Sequence, residues 1–133
     1  MEVVVDANIL ISALIKDGYT RKLLFDRKFV FYAPSFLLEE ATKYMPYICM
    51  KTGLSENDLR AMLDLIVSLR INIVDDNEIE DIVPSALSIS PDPNDALYFA
   101  VAMKLNCCLL SNDKKLKNQN RVKVYSAEEI SRL

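Results

Sequence analysis

Short apolar runs alternate with helical patterns along this chain of 133 residues. Five runs are rich in β-branched or other apolar residues and stop at polar, acidic or proline positions, which is typical of buried strands. The predicted strands cover residues 1–5, 29–33, 71–74, 107–110 and 122–125. Because helices separate the strands, the pattern predicts an α/β fold whose mostly parallel sheet is covered on both faces.

The segments between these runs carry helix signals. Apolar residues recur there at three- and four-residue spacing, and capping residues mark several starts. The predicted helices cover residues 8–16, 19–27, 36–50, 56–70, part of 75–88, 92–105 and a last helix from 127. Ser35 is the predicted N-cap of a long third helix that Gly53 ends, and Ser126 caps the last helix. The acidic segment 75–88 is a weak helix expected to begin after Pro84.

Length and composition indicate one ordinary globular domain over residues 1–133. Apolar residues make up 51% and charged residues 26%, so the chain can bury a core without disulfides. Three cysteines, an odd number, indicate reduced thiols of a cytoplasmic protein. The longest apolar run, residues 9–15, is too short to span a membrane, and the N-terminus lacks the basic region of a signal peptide. We expect no membrane partner.

Histidine is absent, and glycine occurs only at positions 18 and 53. Without histidine there is no Ser-His or Cys-His nucleophile pair, no imidazole base and no imidazole metal ligand. Two glycines cannot form a Walker A loop or a dinucleotide fingerprint, and three cysteines cannot form a four-cysteine zinc site. Carboxylates remain as the candidate chemistry, and they suit hard cations such as Mg²⁺ or Mn²⁺.

Four carboxylates fall at predicted strand ends or on predicted helices. Asp6 directly follows VVV, and Asp113 follows CCLLSN. Asp95 lies in the first turn of a helix that is apolar nearly all round, while Glu40 borders the buried face of its helix and Glu39 lies nearly opposite. Ligands of parallel sheets bind at the carboxyl ends of strands. Four carboxylates meeting there would repel one another unless divalent cations lay between them, and two-metal sites serve attack at phosphorus.

Each acid also has an ordinary structural alternative. Asp6 could cap the helix that follows it, Asp113 could be a turn residue, and Glu40 could be a surface glutamate. Asp92 as N-cap and Asp95 in the first turn would complete a normal helix start without any function. The residues alone leave these alternatives open.

Basic residues gather in two segments, although the formal net charge is −3. Residues 14–28 carry five cations against two acids, and residues 104–123 carry six against one. Such segments could flank a phosphate-binding cleft, or they could be solvated faces.

Four segments of the chain together resemble the acidic motifs of the PIN domain family. They are VVVDANILISAL, APSFLLEEATKY, DPNDALYFAVAMKL and LLSNDKKLK, which occur in the family's order over nearly the whole chain. The resemblance is to the stand-alone prokaryotic type related to VapC toxins. It implies a single PIN-like domain, a three-layer α/β/α architecture with a five-stranded, mostly parallel sheet, and hydrolysis of RNA phosphodiesters by cation-activated water.

The resemblance also implies roles for particular residues. The catalytic and metal-binding set for Mg²⁺ or Mn²⁺ would be Asp6, Glu40, Asp95 and Asp113, with Glu39 the poorer match in the second motif. The supporting residues would be Asn8, Ser111 and Asp92. The residues that would contact RNA phosphates are Arg21, Lys22, Lys114, Lys115 and Lys117.

The expected partners are RNA, a candidate antitoxin and a second copy of the chain. Apolar positions around Leu59, Met62 and Ile66 fit either a dimer face or plain core. Three other functions compete: a non-catalytic PIN-like binding or scaffold module, a nuclease acting on structured DNA, and a phosphatase with an aspartyl nucleophile. The phosphatase would need a second aspartate where Asn8 stands.

Overall fold

Five parallel strands form the central sheet of this computed structural model, which describes residues 1–133. The strands are β1 (Glu2–Val5), β2 (Val30–Pro34), β3 (Ile71–Val74), β4 (Cys108–Leu110) and β5 (Val124–Tyr125). They lie in the order β3-β2-β1-β4-β5, and every neighbouring pair is parallel. The predicted α/β class and five-stranded sheet are therefore confirmed, and the sheet is parallel throughout.

Two groups of helices cover the sheet. The helices are α1 (Ala7–Ile15), α2 (Tyr19–Leu24), α3 (Phe36–Lys43), α4 (Met45–Thr52), α5 (Glu56–Arg70), α6 (Asp76–Ile79), α7 (Val83–Ile89), α8 (Ala96–Leu105) and α9 (Ala127–Ile130). Helices α2, α3, α4 and α5 pack with α1, whereas α6 and α7 pack with α8, which lies across β1, β2 and β4. Crossovers between parallel strands are right-handed. Connections that step one way across the sheet therefore lie on one face, and connections that step the other way lie on the opposite face.

The predicted long third helix is wrong, because the segment divides into α3 and α4 at Tyr44. Pro46 lies in the first turn of α4, where its missing N–H does no harm. Inside a continuous helix the same proline would remove a backbone hydrogen bond and clash with the preceding turn. Gly53 ends α4 in a left-handed conformation with φ of 73°, and Ser126 caps α9, both as predicted.

Two other predicted helix starts differ from the structure. Ser35 lies at the predicted N-cap position of α3 but makes no capping hydrogen bond, since its backbone is already helical and its hydroxyl donates to Asp76 Oδ1 at 3.1 Å. The acidic segment 75–88 holds two short helices rather than one. Asp75 begins α6 with a capping box, and α7 begins before the proline of that segment, which lies within its first turn.

One core joins both faces of the sheet. Val3, Val4 and Val5 of the central strand are fully buried, as expected for a strand with helices on both sides. Leu59 and Ile66 belong to the same cluster of 38 buried residues, which favours plain core over a dimer face for the inner side of α5. None of the helices has the length and apolar character needed to cross a lipid bilayer.

The strand order places a crevice beside β1. The chain passes from β1 to β2 and β3 on one side, and then returns to place β4 and β5 on the other side. Ligands of open parallel sheets bind at such a reversal of strand order, outside the carboxyl ends of the strands. The residues that follow β1 and β4 therefore lie at the position where this fold can form a site.

Candidate carboxylate site

Asp6 lies at the carboxyl end of β1 and also caps α1. Its Oδ1 accepts a hydrogen bond from the Ile9 backbone N–H at 3.1 Å, and only 4% of the residue is exposed. Burial raises the pKa of Asp6 to about 6, and the negative charges of Asp95 and Glu40 add to that rise. Hydrogen bonds from the Ser111 hydroxyl and the Ile9 N–H favour the ionised form and limit the shift. Asp6 therefore caps α1 and also interacts with two of the other motif acids.

Asp95 lies at the start of α8, at the end of a 3₁₀ turn over Pro93–Asp95. Partial burial, together with the charges of Asp92, Glu40 and Asp113, raises its pKa to about 6. Asp92 is exposed, and its Oδ1 accepts a hydrogen bond from the Asn94 N–H at 2.9 Å. Asp92 therefore has the capping role proposed as its structural alternative, while Asp95 faces the other carboxylates.

Glu40 and Tyr98 form a contact between the two helical layers. The Tyr98 hydroxyl donates to Glu40 Oε1 at 2.5 Å, and Tyr98 is only 1% exposed. Burial and the adjacent Glu40 carboxylate hold the pKa of Tyr98 far above its usual range, so that the hydroxyl remains a donor. Glu40 is half-buried and Glu39 is exposed, in agreement with the helical periodicity.

Tyr98 is the residue at this site that the motifs did not identify. A usable signal was its position three residues after Asp95, because residues at that spacing share one face of a helix. Its aromatic character pointed only to core packing. The ring does pack there, with its centroid 6.4 Å from that of Phe36.

Ser111 connects the ends of β4 and β1. It is 1% exposed, its hydroxyl hydrogen-bonds Asp6, and its oxygen accepts the Asp113 N–H at 3.1 Å. Asp113 Oδ1 in turn accepts the Lys115 N–H at 3.0 Å, which fixes the turn after β4. Asn8 is exposed in the first turn of α1, beside Asp6, and makes no side-chain hydrogen bond.

The four motif acids come together at the end of the sheet where the strands have their carboxyl termini. Asp95 interacts electrostatically with Glu40 and Asp113, and Asp6 interacts with Asp95 and Glu40. As they stand, no three of the chain's acidic or cysteine side chains are arranged to hold one ion between them. Hydrogen bonds from the Ile9 N–H, the Tyr98 hydroxyl and the Lys115 N–H each engage one oxygen of Asp6, Glu40 and Asp113 respectively.

The donor set nevertheless fits a hard divalent cation. All four side chains offer oxygen ligands, which Mg²⁺ and Mn²⁺ prefer. Burial and neighbouring carboxylates raise the pKa values of Asp6 and Asp95, and no cationic side chain acts to lower either value. A cation between these carboxylates would relieve both the repulsion and the cost of burying Asp6.

The predicted phosphate contacts divide into two groups. Arg21 donates to the carbonyl oxygens of Ala13 at 2.7 Å and Leu14 at 3.4 Å, so it closes the carboxyl-terminal end of α1. That end lies about 12 Å along the helix from Asp6. Lys22 is exposed on α2 near the same end.

The other three predicted contacts lie directly after Asp113. Lys114, Lys115 and Lys117 are exposed on a 3₁₀ turn, and Lys117 pairs with Glu129. The structure therefore places this group, and not the group on α2, next to the carboxylates.

Comparisons with known proteins agree on the fold. A family model described as PIN domain matches residues 4–131. The crystal structure of VapBC2 from Rickettsia felis bound to a DNA fragment from its promoter is similar, with a TM-score of 0.67 and 20% identity over 95% of this chain and 98% of that chain. The structure of PAE2754 from Pyrobaculum aerophilum has a TM-score of 0.69 and 17% identity over 98% of this chain and 86% of that chain. A comparison with curated proteins gave no significant match.

Proposed function

This chain belongs to the PIN domain family, and from that membership we propose that it is a metal-dependent endoribonuclease. The observation that carries the proposal is the meeting of Asp6, Glu40, Asp95 and Asp113 at the carboxyl ends of β1 and β4. Two of them, Asp6 and Asp95, have pKa values raised to about 6, mainly by burial and in smaller part by neighbouring carboxylates. Raised carboxylate pKa values in a crevice are a feature of functional sites.

Mg²⁺ or Mn²⁺ is the proposed cofactor, and the four carboxylates would hold it. When bound, such an ion supplies an activated water and neutralises charge that develops on a phosphodiester. The chain's own residues fix the surroundings of that chemistry. The cap of α1 holds Asp6, Ser111 bonds both Asp6 and the Asp113 N–H, and the Tyr98 hydroxyl orients Glu40.

The cations next to Asp113 complete the proposed substrate site. Lys114 and Lys115 are exposed, and neither forms an ion pair. Cations of this kind position a nucleic acid through its phosphates and carry no sequence information. We therefore expect single-stranded RNA to be held by its backbone close to the carboxylates.

The proposal extends to a cytoplasmic toxin of a toxin–antitoxin pair, with an antitoxin protein and a second copy of the chain as partners. The similarity to the Rickettsia felis VapBC2 structure supports the antitoxin partner. That likeness is at 20% identity, so the partner's binding surface has to be found by experiment.

Cleavage of defined single-stranded RNAs, with Mn²⁺ or with a chelator, tests the activity. Asp6→Asn and Asp95→Asn should abolish metal-dependent cleavage and leave the fold intact by circular dichroism. Glu40→Gln should lower the rate at least about tenfold, as expected for a lost metal ligand. Glu39→Gln is the matched control, because it removes the same charge from an exposed neighbour and should change the rate less than about twofold.

Three outcomes would contradict the proposal. Cleavage by Asp6→Asn at the parent's rate would show that the site is wrongly assigned. Cleavage of structured DNA in preference to RNA would favour the DNA nuclease. Metal-independent RNA binding without any cleavage by the parent would favour a binding module.

A further inference from the structure

A basic loop leads away from the carboxylates along the outer edge of the sheet. It begins after Asp113, passes through the turn Lys114–Lys117 and returns to the sheet at β5, which is an edge strand. Residues 114–123 contain five cations and no acid. The cations are Lys114, Lys115, Lys117, Arg121 and Lys123. Positive charge therefore continues past the residues that the motifs had pointed to.

Gln119 holds the backbone of this basic loop in place. Its Nε2 donates to the carbonyl oxygens of Leu116 at 3.0 Å and Val122 at 2.8 Å. Its Oε1 accepts the N–H groups of Arg121 and Val122, both at 2.9 Å. Leu116 and Val122 are buried and fasten the loop to the core on either side. The backbone is thus fixed while the basic side chains remain at the surface.

A cleft with a volume of about 510 Å³ opens beside Gln119, and we call it the basic cleft. Its lining residues are Lys117, Gln119, Asn120, Arg121, Val122, Lys123 and Val124. The charged side chains in this lining are all cations, and the other polar side chains are amides. The volume lies within the range of small-ligand sites, which is large enough for a phosphate with its attached sugar.

Each cation of the basic cleft has a defined environment. Lys117 pairs with Glu129 at 2.5 Å, and the ammonium of Lys123 lies 5.5 Å from the centre of the Tyr125 ring. Arg121 forms no ion pair. A free guanidinium suits phosphate, because its planar fork can donate two parallel hydrogen bonds.

We propose that the basic cleft binds a backbone phosphate of single-stranded RNA, and so grips the strand outside the reaction centre. The inference rests on the proposed function and adds Arg121 and Lys123 to its RNA-binding surface. No aromatic side chain lines the cleft, so bases are not stacked there and the grip is independent of sequence. A loop already fixed by Gln119 loses little conformational freedom when it binds RNA.

Fluorescence anisotropy of a labelled single-stranded RNA, measured over a range of salt concentrations, tests this proposal. All proteins carry Asp95→Asn so that the RNA stays intact. The test variant is Arg121→Gln with Lys123→Gln. The control is Lys43→Gln with Lys51→Gln, which removes the same charge from exposed cations on α3 and α4. Lys51 is matched to Lys123, because its ammonium also lies over a tyrosine ring, at 5.7 Å.

The test variant should bind RNA about three- to tenfold more weakly at low salt, and its salt slope should fall by about 0.7, since one phosphate contact on a single strand contributes about 0.7. The control should keep both values of the parent. The role of the cleft would be overturned if the test variant kept the RNA affinity and the salt slope. If the unsubstituted protein, which retains Asp95, still cleaved RNA, the proposed function would stand. Absence of both RNA binding and cleavage would overturn both. Binding of inorganic phosphate or a nucleoside monophosphate as tightly as RNA would make the cleft a small-ligand site and overturn the proposal.

Discussion

Glu40 shows how a side chain to which the motifs assign no role, that of Tyr98, can shape a carboxylate site. One of its oxygens accepts the Tyr98 hydroxyl, and the other makes no side-chain or backbone hydrogen bond. A charge-assisted hydrogen bond of this kind is about twice as strong as one between neutral groups. It also fixes the orientation of the carboxylate, so the free oxygen of Glu40 is available to a cation. We infer that Tyr98 is a positioning residue.

Tyr98→Phe should lower the affinity for Mn²⁺ and the apparent kcat at limiting Mn²⁺ by about tenfold or more, as expected when a residue that orients a metal ligand is lost. The ring would remain in the core, so the melting temperature should change little. Calorimetric titration of Mn²⁺ and cleavage rates against Mn²⁺ concentration give the two readouts. Tyr19→Phe is the control, because its hydroxyl bonds the Ala127 carbonyl at 3.0 Å. Equal Mn²⁺ affinities in the two variants would contradict the positioning role.

At the scale of the secondary structure elements, Arg70 joins the end of α5 to the loop between α2 and β2. Its Nε donates to the Leu24 carbonyl at 2.6 Å, and its Nη2 donates to those of Asp26 at 2.8 Å and Phe29 at 3.1 Å. One guanidinium thus satisfies three carbonyl groups at the amino-terminal side of the sheet, away from the carboxylates. This contact fixes the entrance of β2 and has no part in the proposed chemistry.

Arg70→Lys should destabilise the fold by about 1–3 kcal/mol while RNA cleavage per folded molecule stays unchanged. A lysine keeps the charge but cannot reach three carbonyl groups with a planar fork, so the partly buried carbonyls of Leu24 and Phe29 cannot both keep their donors. Chemical denaturation measures the effect. Arg60→Lys, on the same helix, is the control, because Arg60 only makes an exposed ion pair with Glu56 and should cost less than about 0.5 kcal/mol. Equal costs for the two variants would show that the loop is held by other contacts.

At the scale of the whole molecule, the fold gathers negative charge at the carboxyl ends of the strands, and this lowers the stability of the metal-free protein. The pKa of Asp6 is raised from its usual value of 3.8 to about 6, mainly by burial. The folded state therefore binds its proton more tightly than the unfolded chain does. The stabilisation from this proton is complete below a pH of about 4 and is lost as the pH rises through about 6. Asp95 contributes in the same direction, reduced by its partial exposure.

Metal-free Asp6→Asn should therefore be more stable than the parent at a pH of about 7.5, by up to about 3 kcal/mol, or about 5 °C or more in Tm. An asparagine keeps the helix cap, because its side-chain oxygen can accept the Ile9 N–H. The difference should vanish near a pH of about 4, where Asp6 in the parent is protonated. Thermal melts across this pH range test the sign. Mn²⁺ should raise the Tm of the parent and have a much smaller effect on the variant. A variant less stable than the metal-free parent at neutral pH would contradict the cost assigned to Asp6.

The sequence by itself determined the elements and their class. The run VVV before Asp6 has to be a strand buried on both faces, and helical periodicity separates half-buried Glu40 from exposed Glu39. Gly53 ends its helix by a left-handed backbone, and Ser126 begins its helix by accepting the Glu129 N–H. Both effects are local, so both helix ends could also be predicted. These features depend on residues within one turn of helix or one strand. The composition could likewise exclude imidazole chemistry before any fold was known, because the chain has no histidine.

Only the tertiary structure decided which of these residues meet. The strand order brings the end of β4 beside the end of β1, so that Ser111 reaches Asp6 across more than a hundred residues of chain. Tyr98 contacts Glu40 from another layer, Ser35 bonds Asp76 instead of capping its own helix, and Arg21 turns back to α1. Such contacts join positions far apart in the chain or depend on the exact path of a turn. Hydrophobic periodicity carries no information about them, because it records only which face of each element is buried.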